Sequence, residues 1–112
     1  MRTLEFIVNK QRLLRKADCD FSHIVAGSVG YLKAKFKFSQ EWDGCNKAAD
    51  FILKDPSGTL KHGVLLDGDN ACDIPSDVLT GSEFYISVKG VKAGGRYQIE
   101  TSEIRVKQEV NS

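Results

Sequence analysis

His23, His62, Cys19, Cys45 and Cys72 are the residues best equipped for chemistry, and their spacing does not bring them together. A zinc site asks for four organised ligands, or three and a water. Neither histidine belongs to a ligand-spaced pair. Cys19 and His23 stand four apart, a separation that shares a face only on a helix. The segment around them is full of turn formers: Asp18, Asp20, Ser22, Gly27, Ser28 and Gly30. The cysteine count is odd and the spacing irregular, and no export signal is read. That predicts free thiols in a reducing compartment rather than a disulfide framework.

Three further motifs fall short for stated reasons. Ala26-Gly27-Ser28-Val29-Gly30 approaches the Gly-x-Ser-x-Gly nucleophile elbow but lacks its first glycine. It also precedes a strand instead of joining a strand to a helix. Asp67, Asp69, Asn70 and Asp73 suggest a calcium loop, yet Ala71 and Cys72 occupy the positions that need an oxygen ligand and a glycine. Gly90, Gly94 and Gly95 are not followed by the lysine-serine of a phosphate loop, and no helix begins there. No catalytic, cofactor-binding or metal-binding residue is assigned, and the expectation is a non-enzymatic protein without a cofactor.

Binding residues are better defined. Tyr31, Lys33, Lys35 and Lys37 project from one side of one segment, a stripe suited to phosphates, acidic protein or sugar. The plainer reading is a solvated sheet face. Trp42, Tyr31, Tyr85 and Tyr97 could form an aromatic platform for carbohydrate, whereas a lone tryptophan at a sandwich turn more often closes the core. The candidate interaction surface is therefore Tyr31, Lys33, Lys35, Lys37 and Trp42.

These residues are positioned by the clearest element of the chain, Tyr31–Gly44. Leu32, Ala34, Phe36 and Phe38 alternate with the lysines, so one face is apolar and the other wet. Such a strand belongs in an antiparallel sheet. Glu41-Trp42-Asp43-Gly44 then makes a tight turn. Upstream, Leu4–Val8 reads as a first strand and Leu13-Leu14 as its short partner across Asn9-Lys10. Ile24-Val25 reads as a brief edge strand inside a long connection. Downstream, Lys47–Leu53 suits either one or two helical turns or a strand. Its shortness and the Phe51-Ile52 pair favour a strand, turning at Asp55-Pro56-Ser57-Gly58 into Thr59–Leu66. Asp67–Asn70 is a second turn. Ala71–Ile74 is a short strand, Ser76–Leu79 one helical turn capped by Ser76, and Glu83–Lys89 a second alternating strand. Val91–Arg96 is a glycine-bearing loop. Tyr97–Glu100 and Glu103–Val110 finish the sheet. Phe84, Ile86 and Val88 are the expected partners of Leu32, Ala34, Phe36 and Phe38, from the same sheet or the opposite one.

Turn signals recur about every ten residues and no amphipathic stretch of helical length intervenes. The fold class is all-β, an antiparallel Ig-like β-sandwich of about seven to nine short strands. The 112 residues make one domain, 1–112, with 109–112 as an exit tail. A chain of this length buries roughly two-thirds of its unfolded surface, enough for one core. Hydrophobic residues are 41% and charged residues 28%, ordinary for a globular protein. A net charge of +1 gives no reason to expect nucleic acid. No apolar run approaches the ~20 residues of a membrane helix. The N-terminus lacks the apolar core and cleavage site of a signal peptide.

Several of these segments fall in one order: Phe36-x-Phe38-x-x-x-Trp42-Asp43-Gly44, then Cys72-x-Ile74-Pro75-x-x-Val78-Leu79, then Phe84-x-Ile86-x-Val88-x-Gly90. Together they span most of the chain. In order and spacing the chain resembles the Ig-like β-sandwich modules of tailed-phage and prophage structural proteins of Gram-positive bacteria, the N-terminal domain type of baseplate, tail-fibre and head-fibre components. The resemblance implies attachment, not catalysis, and transfers no active-site residue. It implies other virion proteins as partners, a homo-oligomer, and residence in the virion after synthesis in the host cytoplasm. The alternative is a carbohydrate-binding β-sandwich recognising host surface glycans.

Overall fold

The computed structural model describes residues 1–110. Nine strands form two sheets: β1 (Arg2–Asn9), β2 (Arg12–Arg15), β3 (Leu32–Phe38), β4 (Asn46–Asp55), β5 (Gly58–Leu65), β6 (Ala71–Asp73), β7 (Glu83–Val91), β8 (Gln98–Glu100) and β9 (Ile104–Lys107). The first sheet runs β2-β1-β3-β6. The second runs β5-β4-β7-β8, with β9 also paired to β7. Lys47–Leu53, read as strand or helix, is strand throughout. The fold is the expected all-β sandwich.

Alternation dictates which residues face inward. Leu4, Phe6 and Val8 of β1 are buried, as are Leu32, Ala34 and Phe36 of β3. Against them, from the opposite sheet, pack Ala49 and Phe51 of β4, Phe84, Ile86 and Val88 of β7, and Val106 of β9. Phe6 and Phe36 stack at 5.3 Å, and Phe38 meets Trp42 at 5.1 Å. Burying each such side chain contributes about 1.5–3 kcal/mol.

Three expectations change. β3 is not purely antiparallel: it pairs parallel with β1, Leu4 opposite Ala34 and Phe6 opposite Phe36, and antiparallel only with the short β6. Parallel neighbours need a long crossover. Here β2 and the irregular stretch before Tyr31 supply it. Arg2 ties that stretch down, its guanidinium donating to the carbonyls of Asp20, Ser22 and His23. Second, Ser76 does not cap its helical turn. The cap position is Pro75, and no side chain caps the 3-10 turn Ser76–Val78. Third, the expected exit tail begins bound. Glu109 bridges to Val25, its N–H donating to Ile24 O at 2.7 Å, and Ala26 N–H donates to Glu109 O. Residues 111–112 of that tail lie outside the described residues. Val25 thus has a strand-like partner, although Ile24-Val25 is a single bridge rather than a strand.

Candidate functional site

The lysine stripe lies on the outer face of the first sheet. Lys33, Lys35 and Lys37 stand opposite Thr3, Glu5 and Ile7 of β1, and Lys33 stands opposite Asp73 of β6. Tyr31 is half exposed at its head. None of the three lysines has a carboxylate within ion-pair distance among the described residues. Asp67 feels Lys33 and Lys35, but its carboxyl is held below the usual carboxylate range chiefly by the N–H groups of Ala71 and Asp69, with the lysines a smaller cause. Those two hydrogen bonds make Asp67 the organiser of the turn by which the chain crosses from β5 in the second sheet to β6 in the first. Gly68 and Asp69 beside it are exposed. An open cleft of about 450 Å³ adjoins the end of the stripe, between Lys35–Phe38, Lys47 and Asp69-Asn70.

Trp42 does not belong to this surface. It is fully buried where the chain crosses from β3 to β4. Its indole N–H donates to Lys10 O at 2.8 Å. Ser39, at the start of the same turn, accepts from Lys10 N–H on its hydroxyl. The ring lies against Gly90 of β7, where a Cβ would come within 2.9 Å of Trp42 Cε3. The reason is economy of burial: a large ring at a sheet crossing fills the gap between the sheets, and its one polar atom finds a carbonyl there. The other aromatics do not converge. Tyr85 lies on the second sheet, where its hydroxyl donates to Glu83 and Lys54 sits 4.0 Å over its ring. Tyr97 donates to Glu41 O at the far end of the molecule's glycine loop.

The histidines stay apart. His23 lies 3.1 Å from Glu109, and His62 lies 3.2 Å from Asp77, each pair largely open to water. Among the described residues no three His, Cys, Asp or Glu side chains stand where they could hold a metal. The cysteines are free thiols: Cys45 and Cys72 buried, Cys19 partly exposed. Burial pushes the Cys72 thiol up to about 12, with Asp73 and Asp67 adding to the effect.

A second polar surface escaped the sequence reading. On the outer face of the second sheet, Asp50 of β4 is 4% exposed. Lys89 of β7 and Lys61 of β5 reach its carboxylate from either side, at 3.5 and 3.7 Å. Gly63, its neighbour on β5, leaves room for it, since a Cβ there would lie 3.0 Å from Asp50 Oδ1. Ile52, on the same face, is also buried. Lys54–Glu103 and Arg105–Glu83 pairs continue the lattice outward. The signal was partial: Ala49-Asp50-Phe51 keeps the two-residue alternation, which hides the burial of Asp50, and only Ile52 breaks it. No partner could be read from sequence for either.

Among the described residues both sheets leave edges open. The longest is β5, eight residues of which only Val64 is part-buried. No protein-family model, no curated protein and no solved structure matches the chain.

Proposed function

We propose that the chain is a non-enzymatic structural module of a tailed-phage or prophage virion that attaches to other virion proteins of a baseplate, tail fibre or head fibre. The observation that carries this reading is spatial. The three sequence segments of the resemblance meet in one core. Phe36, Trp42, Cys72, Ile74, Val78, Leu79, Phe84, Ile86 and Val88 all belong to it, and Gly90 lies under the Trp42 ring. Residues that carry a likeness of fold are expected to pack on one another, and this clustering is what supports the reading. Attachment also suits the surface, where open strand edges and a charged sheet face offer contacts.

The glycan reading has lost its best residue. Trp42 is closed to solvent, and Tyr85 is engaged by Lys54 and Glu83. The test is co-expression of the tagged chain with the products of its neighbouring genes, followed by affinity purification. Co-elution with a capsid or tail component is the expected result. Failure with every such component, alongside retention on a glycan array, would replace this reading with the carbohydrate one.

A further inference from the structure

We propose that β5 is a self-complementary edge through which two copies of this chain join, antiparallel, into one continuous sheet. The inference stands on the strand's geometry alone and does not depend on the virion reading.

The phase of the β4–β5 ladder fixes which backbone groups are free. The register runs unbroken from Asp55 opposite Gly58 to Ala48 opposite Leu65. Leu66 N–H donates to Lys47 O just beyond it. In an antiparallel ladder, residues alternate between bonding the partner strand and pointing away from it. Val64, His62 and Leu60 therefore share the phase of Leu66 and bond to β4. Thr59, Lys61, Gly63 and Leu65 turn their N–H and C=O groups outward, and no strand of the described residues meets them.

Two such edges fit in one register better than in its neighbours. With the two-fold axis at His62, Thr59 pairs with Leu65 of the second copy and Lys61 with Gly63, so every outward group is used. Moving the axis to Lys61 sets Lys61 against Lys61, a like-charge pair. Moving it to Gly63 leaves Thr59 without a partner. The His62 register is also complementary in side chains. On the inner face, Leu60, 41% exposed, meets the half-buried Val64 of the other copy. The two His62 rings face one another at the axis, each already beside its own Asp77.

Charge complementarity singles out a second copy as the occupant. On the outer face, Lys61 stands over the second copy's Gly63, whose neighbour on β4 is Asp50. Gly63 places no side chain in the way. Asp50 is buried, yet its two lysines stand at 3.5 and 3.7 Å, long for hydrogen bonds. By symmetry each Lys61 can exchange its own Asp50 for that of the other copy, so that both carboxylates keep two cations and the ion pair then bridges the two chains. The contact is isologous, the same patch on both partners, and closes as a dimer.

The test uses the full chain. Sedimentation equilibrium over a concentration series should show a monomer–dimer equilibrium, and Gly63→Pro, which removes an outward N–H, should weaken it by about tenfold or more. In a Cys19→Ser background, His62→Cys should give a disulfide-linked dimer under mild oxidant, because only that residue faces itself across the axis. Leu60→Cys, which faces Val64, should not. A chain that stays monomeric at every concentration overturns the proposal. So does self-association unchanged in a folded Gly63→Pro, or cross-linking at Leu60→Cys equal to that at His62→Cys. Should Gly63→Pro fail to fold, the cysteine pair decides.

Discussion

At the scale of single residues, Trp42 and Gly90 are the pair on which the sheet crossing turns. The ring is wholly buried, touches Phe38, bonds Lys10 O and sits where any side chain at position 90 would be. Trp42→Ala should cost about 3–5 kcal/mol, the usual range for emptying a large aromatic site. Gly90→Ala should cost about 1–3 kcal/mol by overpacking, since the new Cβ meets Trp42 on one side and Cys45 at 3.1 Å on the other. Urea titration of both variants checks this. A Gly90→Ala protein as stable as the parent would mean the ring can move. Cys72 gives a second expectation. Its thiol ionises in the unfolded chain near the ordinary 9.0 but in the folded chain only at about 12. The folded state therefore holds a proton that the unfolded state has released. Stability contributed by the buried neutral thiol is intact below about 9 and is lost as pH rises toward 12. Melting curves across that window should fall more steeply for the parent than for Cys72→Ala. The sequence displayed Trp42 as the one tryptophan in a tight turn, but it could not say which way the ring folds. That depends on Lys10 and Gly90, distant in sequence.

Elements were legible where one face is wet and obscure where both are covered. β3 and β7 alternate cleanly because only their inner sides are apolar, and both were readable from period two alone. β4 carries Asp50 and Ile52 on the outer face, both buried, so its alternation blurs into a pattern that also suits a helix. The parallel β1–β3 pairing was hidden for a different reason: strand direction leaves no trace in side-chain period. The Asp50 cluster yields an asymmetric prediction. Asp50→Asn should cost only about 1 kcal/mol, because Lys61 and Lys89 are about half exposed and can turn to water. Replacing both lysines, Lys61→Met with Lys89→Met, leaves a buried carboxylate without a cation and should cost about 3–5 kcal/mol. Denaturant midpoints of the two variants test the order. Equal losses would mean that water reaches Asp50 from above the sheet.

At the scale of the whole molecule, the chain crosses repeatedly between the sheets. It lays β1–β3 in the first, β4 and β5 in the second, returns for β6, and ends with β7–β9 in the second. Neither sheet is complete until late segments arrive, and β1 finds β3 only across the long irregular connection. Loop closure on this scale must precede the contacts that reward it, which places such topologies among the slower folders, in milliseconds to seconds. Trp42 is a natural reporter of that closure. It touches Phe38 in one sheet and Gly90 in the other, and bonds the β1–β2 turn at Lys10. If the two sheets form together, tryptophan fluorescence and far-ultraviolet circular dichroism should recover in stopped-flow refolding with one shared rate constant. A dichroism signal that returns ahead of fluorescence would mean that the sheets form first and dock afterwards. In that case Gly90→Ala, which crowds Trp42 and Cys45 at the sheet crossing, should slow the fluorescence phase more than the dichroism phase. Under concerted folding the same substitution slows both phases equally or, where the contact forms after the transition state, speeds unfolding alone.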